Sequence, residues 1–141
     1  MPLIEKLLIL AITFQALLAV IILVLMGRER VPRVMSGEIA VKDIAVDRSA
    51  YPLKARLLSN SFDNQFQLPV LFYVVAIFAL WSGGTNWSEL ALAWGFVALR
   101  YAHAAIHVTT NRVHRRFMVY SAGLAVLCLL WLLVLLRLLL S

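Results

Sequence analysis

The stretch Arg56–Tyr73, RLLSNSFDNQFQLPVLFY, sets the hardest constraint on this chain. It is polar, yet it leads straight into an apolar segment that cannot cross a bilayer without it. On a 3.6-residue period Arg56, Asn60, Asp63 and Gln67 fall at i, i+4, i+7 and i+11, on one stripe about 60° wide. Pro69 interrupts the pattern, and Val70–Trp81 continues without a charge. That run is shorter than the roughly 20 residues a span requires. The polar stripe therefore has to enter the hydrocarbon layer, where such groups are costly unless they face a protein interior or a wet cavity. A buried polar stripe in a membrane bundle marks a candidate site.

The composition agrees. With 141 residues and 63% hydrophobic content, and a mean hydropathy of +0.91, the chain reads as an integral membrane protein. Its length supports a single domain over 1–141. The formal charge of +6 does not point to nucleic acid, because no basic stripe interleaved with aromatics is present. The one cysteine, Cys128, lies in the middle of the last apolar run, so no disulfide can form within the chain. Packing or lipid contact is its expected role.

Four spans follow in order, at about 3–26, 52–81, 87–111 and 117–140. The first lacks a basic leader and a small-residue cleavage site, and reads as a retained helix containing Gln15, which needs a partner on another helix. Gly27–Ala50 reads as a polar connection, with Pro32 and Gly37 breaking any regular helix. Tyr51-Pro52 opens the second helix, and Ser82–Asn86 is a turn between Trp81 and Trp87. Arg112–Arg116 is a short basic joint before the fourth helix. Four helices with no strand pattern predict an all-α, up-down membrane bundle. Lys and Arg set its orientation. The first connection and the start of the second helix hold Arg28, Arg30, Arg33, Lys42, Arg48, Lys54 and Arg56, and the third connection adds Arg112, Arg115 and Arg116. Only Lys6 and Arg137 lie opposite, which predicts both termini outside and connections one and three in the cytoplasm.

The third helix carries a second stripe, Arg100, His103, His107, Asn111 and His114, within about 80° of arc. At about 1.5 Å per residue from Trp87, Arg100 lies about 20 Å into the bilayer, at the depth of the first stripe. The two stripes are expected to face one another or a shared cavity, with Arg100 pairing with Asp63. Arg56, Arg100, Arg112 and Arg116 surround one carboxylate, Asp63, so an anionic ligand is expected, and Arg suits planar carboxylates. His103 and His107 at i, i+4 could share a metal, but only Asp63 or His114 offers a third ligand and no cysteine is near, so no metal is expected. A small proton-coupled exporter would want a carboxylate in the middle of the first helix, where this chain has Gln15.

At these two stripes the chain resembles the MAPEG family, membrane-associated proteins in eicosanoid and glutathione metabolism, and looks most like its bacterial branch. The resemblance is carried by Arg56-Leu-Leu-Ser-Asn60 through Asn64-Gln-Phe-Gln-Leu-Pro69-Val-Leu-Phe, and by Arg100-Tyr-Ala-His103-Ala-Ala-Ile-His107 leading into Arg112 and Arg116. It implies homotrimers of four-helix subunits in a membrane, here the bacterial inner membrane. Glutathione would lie between subunits near the cytoplasmic side as co-substrate for a transferase or peroxidase acting on lipophilic electrophiles. Some members only bind lipids, so a non-enzymatic protein that binds a lipid or anionic metabolite is the alternative. By resemblance Arg56 and Asn60 grip the tripeptide, with Gln67 beside them on the stripe, and Asp63 holds its amine. Arg100, His103 and His107 stand where some members have Arg-x-x-His-x-x-x-Tyr, the tyrosine being lost. Arg112 joins the basic cluster, and Arg116, followed here by Phe117, corresponds to the arginine that steadies the thiolate. Small residues such as Ala98, Ala102, Ala105, Ser121 and Gly123 permit close helix approach within or between subunits.

Overall fold

The uncharged run Leu7–Met26 does not end its helix at Met26. In the computed structural model, which describes residues 1–140, α1 extends over Leu3–Met35. The break expected at Pro32 is absent, and Arg28, Arg30 and Arg33 lie on the helix rather than in a loop. Pro32 removes one backbone donor, while the Arg33 side chain donates from Nε to the Glu29 carbonyl at 3.0 Å. The stop falls at Gly37, whose φ of +77° is a left-handed conformation that costs glycine little. The connection that follows contains a 3-10 turn, Val41–Ile44, and is held down by buried Ile39 and Tyr51, which cluster with Ala55.

The second span is also not one helix. It consists of α2 (Leu53–Asp63), a 3-10 turn (Asn64–Phe66) and α3 (Leu68–Ser82). The break precedes Pro69 and centres on Gln67, with φ −103° and ψ −108°. Pro69 sits in the first turn of α3, where its missing N–H has no helical partner to lose. After the turn at Gly83 and Gly84, α4 covers Trp87–Val108. Asn86 caps it by accepting from the Glu89 N–H at 2.9 Å and donating to Glu89 Oε1 at 3.2 Å. α5 covers Val113–Leu140 and so begins earlier than 117, which puts Arg115 and Arg116 on the helix.

Three segments, Leu3–Met35, Leu53–Ser82 and Val113–Leu140, are long and apolar enough to cross a membrane. α4, with 22 residues, is long enough at about 1.5 Å per residue but more polar, because it buries Glu89, Arg100, His103 and His107. Contacts fix the direction of each span. α1 runs against α2 and α3, with Glu29 on Lys54 and Gln15 on Gln65. α4 runs against α5, with Glu89 on Arg137 and His103 on Tyr120. The result is an up-down arrangement of four helical segments, three of them long and apolar enough to cross a membrane. Phe72 stacks on Phe96 with centroids 4.9 Å apart, in a core with Leu8, Val75, Leu127 and Leu130. Outward positions such as Val20, Ile77 and Leu132 are exposed and apolar, as a lipid-facing surface requires.

Gln15 finds the partner its position demands: Nε2 donates to Gln65 Oε1 at 3.4 Å, both residues being buried. The bond is long and Gln15 Oε1 is unpartnered. Gln15→Leu is therefore expected to cost little, below the roughly 1.7 kcal/mol upper end for interhelical hydrogen bonds in membranes. Unfolding of detergent-solubilised protein followed by helicity checks this, and a larger loss would mean that the pair anchors the bundle.

At the end of the bundle away from the long connection, Arg137 binds the Glu89 carboxylate through Nε at 2.8 Å and Nη2 at 3.2 Å. Its Nη1 reaches Ser82 Oγ at 3.1 Å and the carbonyl of Gly83. One guanidinium thus ties α3, the turn, α4 and α5 together.

Candidate functional site

The polar stripes of α2 and α4 do meet. They form the walls of a cleft of about 410 Å³ at the end of the bundle that carries the long connection. Asn60, Asn64 and Gln67 come from α2 and the break after it, His103 and His107 from α4, and Arg116, Phe117 and Tyr120 from α5. The 3-10 turn lets Asn60, Asn64 and Gln67 share this wall across the end of α2.

His103 and His107 are each 3% exposed and stand edge to face, with ring centroids 5.8 Å apart. Tyr120 lies against His103 at 5.7 Å. The Nδ1 atoms of both histidines are buried without a protein partner. Among the described residues no three His, Cys, Asp or Glu side chains converge on one point. Arg116 is held at the rim, where its Nη1 donates to Asn111 Oδ1 at 2.7 Å. Asn111 is in the turn between α4 and α5 with φ +45°, a left-handed conformation that asparagine tolerates better than most side chains, and its N–H closes α4 on the Ile106 carbonyl at 2.7 Å. The same residue therefore ends one helix and orients the arginine of the next.

Arg100 does not pair with Asp63. It is 1% exposed, and its Nη2 donates to the Asn64 carbonyl at 2.9 Å, where α2 gives way to the 3-10 turn. Its Nε and Nη1 are buried with no partner. Asp63, at the last turn of α2, faces the long connection instead. It takes two bonds from Arg48, at 2.6 and 3.3 Å, and Arg48 also reaches Asn60 Oδ1 at 3.4 Å. Asp63 holds the Arg48 guanidinium above its ordinary pKa. The i, i+4, i+7, i+11 pattern misled here because α2 ends at Asp63, so the stripe does not continue as one face.

Of the residues singled out by sequence, Asn60, Gln67, His103, His107 and Arg116 line the cleft, and Arg100 lies one turn behind His103. Arg56, Asp63 and Arg112 are exposed and outside the lining, as is His114. Asn64 and Tyr120 are lining residues that sequence reasoning did not select. Tyr120 lies four residues after Arg116, a spacing that places both on one helical face once α5 is known to start at Val113.

Residues 8–136 match the model of the MAPEG family. The match covers most of the chain, and the protein belongs to the MAPEG family, a family of membrane proteins that includes glutathione transferases and peroxidases. No curated protein and no solved structure matches the chain.

Proposed function

We propose that this protein is a glutathione-dependent transferase or peroxidase of the membrane, with the tripeptide in the cleft between α2, α4 and α5. The observation that carries the reading is the charge of that cleft. Arg116 stands at its rim, Arg100 is buried behind it with two unpartnered nitrogens, and no carboxylate is in the lining. Surplus buried positive charge favours an anion, and arginine favours carboxylates by planar, paired donation. Asn60, Asn64 and Gln67 supply amide donors and acceptors for a peptide backbone. Arg116 is the residue proposed to act on the sulfur, since a cationic donor favours thiolate over thiol and lowers the thiol pKa below about 8.5. The thiolate attacks a lipophilic electrophile that reaches the cleft from the lipid. In the transferase reaction the carbon–sulfur bond forms as the electrophile's leaving group departs with the electron pair of the broken bond, and the thiol proton passes to water. In the peroxidase reaction the sulfur takes the terminal oxygen as the O–O bond breaks and the alcohol leaves, and a second glutathione condenses with the resulting sulfenic acid to give the disulfide and water. No protein nucleophile is consumed.

The proposal extends to assembly and placement. Arg56, Asp63 and Arg112, outside one subunit's cleft, complete the site at the contact with a second copy of a homotrimer. The chain acts as a single domain in the bacterial inner membrane, with the cleft end cytoplasmic and both termini opposite, following the distribution of Lys and Arg. A second reading, a non-enzymatic member that binds a lipid or anionic metabolite, is supported by one observation: the carboxylate assigned to the amine, Asp63, is already bound by Arg48.

Calorimetric titration of detergent-solubilised protein with glutathione separates the two readings. Saturable binding at or below a few millimolar is expected. Absence of saturation at that concentration would leave the second reading.

A further inference from the structure

A second recess lies on the other side of α1, away from the cleft. It has a volume of about 380 Å³ and is walled by Leu23, Met26, Val31, Val34 and Met35 of α1 and by Tyr51, with Gly27 in its floor. Its one charge is Arg30. The Arg30 guanidinium lies 4.5 Å from the centre of the Tyr51 ring and touches the Met26 sulfur at 3.7 Å, so its position is fixed by an aromatic face and a thioether. No carboxylate balances it among the described residues. Glu29, its neighbour in sequence, is taken by Lys54 at 2.5 Å and Arg33 at 3.5 Å.

The depth of this recess says what would fill it. The uncharged run Leu7–Met26 is 20 residues of continuous helix, about 30 Å, which equals the hydrocarbon thickness of a bilayer. Arg30 stands four residues further along the same helix, about 6 Å beyond that layer, at the level of lipid headgroups. The apolar wall from Leu23 to Met26 lies at the top of the acyl region. A fixed, unbalanced guanidinium in the headgroup layer above an apolar slot matches one ligand chemistry, a phosphodiester carrying an acyl chain. We infer that this recess binds an anionic membrane phospholipid, its phosphate on Arg30 and the upper part of one chain along Leu23, Met26 and Gly27. The inference is independent of what the cleft binds.

Gly27 makes the inference testable without disturbing the fold. A Cβ built there meets nothing within 4 Å, and its backbone is helical, so a larger side chain enters the recess rather than the protein. The experiment is native mass spectrometry of the full chain in mild detergent, titrated with phosphatidylglycerol or phosphatidylcholine of matched chains. The wild type is expected to retain phosphatidylglycerol about fivefold better, the value of about 1 kcal/mol for one basic residue at a membrane surface. Arg30→Gln should abolish the preference, bringing phosphatidylglycerol retention down to the level of phosphatidylcholine. Gly27→Leu should lower retention of both lipids at unaltered melting temperature. Arg28→Gln, which removes an equal charge two residues from Arg30 and about 200° round the helix, outside the recess, should keep the preference. Equal retention of the two lipids by the wild type, a preference surviving Arg30→Gln, or wild-type retention by Gly27→Leu would each overturn the assignment.

Discussion

Replacing Arg137 with methionine is expected to lower the stability of the bundle by about 3–5 kcal/mol, the usual cost of removing one partner of a buried ion pair. The loss falls on Glu89, whose side chain is 1% exposed and would keep only the amide of Asn86 as a donor from another side chain. The reverse change should be milder. Glu89→Gln leaves Arg137 with Ser82 and the Gly83 carbonyl, and the Arg137 side chain is 20% exposed. Replacing both residues by leucine and methionine should recover much of the loss, since an apolar pair in place of a buried ion pair is often neutral or better. Denaturation followed by helicity gives all three values. If Arg137→Met unfolds with the wild type, the network at this end of the bundle does not hold it together.

The second large effect concerns the cleft. On the glutathione reading, Arg116→Ala removes a charge-assisted contact worth about 1.5–3 kcal/mol, which weakens binding roughly tenfold to a hundredfold. Asn111→Gly keeps the left-handed backbone while deleting the acceptor that orients Arg116, and should produce part of the same loss. Arg100→Leu should weaken binding and lower stability by only about 1–3 kcal/mol, because it strands the Asn64 carbonyl but no carboxylate. Cys128→Ser, on the exposed side of α5, should leave binding unchanged. Calorimetry on the four variants tests the ordering, and equal affinity across the set would place glutathione elsewhere.

The sequence carried the architecture well, because membrane length and hydropathy are strong constraints. It also carried the meeting of the two stripes, since polar side chains in a bundle have few places to go. Where it failed, the cause was local backbone. Pro32 looked like a helix breaker, yet one missing donor near the end of a long helix is a small defect. The wheel linking Asp63 to Arg100 assumed a regular helix through 56–67, and the 3-10 turn at Asn64–Phe66 exposed a carbonyl that took the arginine instead. Arg137 was counted as a topology signal and its pairing with Glu89 was missed, because their separation of 48 positions has no local signature.

The polarity that α4 buries bears on how the chain enters a membrane at all. During synthesis each segment is offered to the bilayer in turn, and charged residues such as Glu89 and Arg100 each oppose entry, by up to about 2.5–3.5 kcal/mol near a helix centre. α4 is joined to its neighbours by only Gly83–Asn86 on one side and Thr109–Arg112 on the other. Its partners on α5, Arg137 for Glu89 and Tyr120 beside His103, are made after it. A segment of this kind partitions poorly alone and well as half of a hairpin. α5 therefore acts as the insertion partner of α4, and truncation before α5 would strand the most polar of the four candidate spans at the membrane's edge.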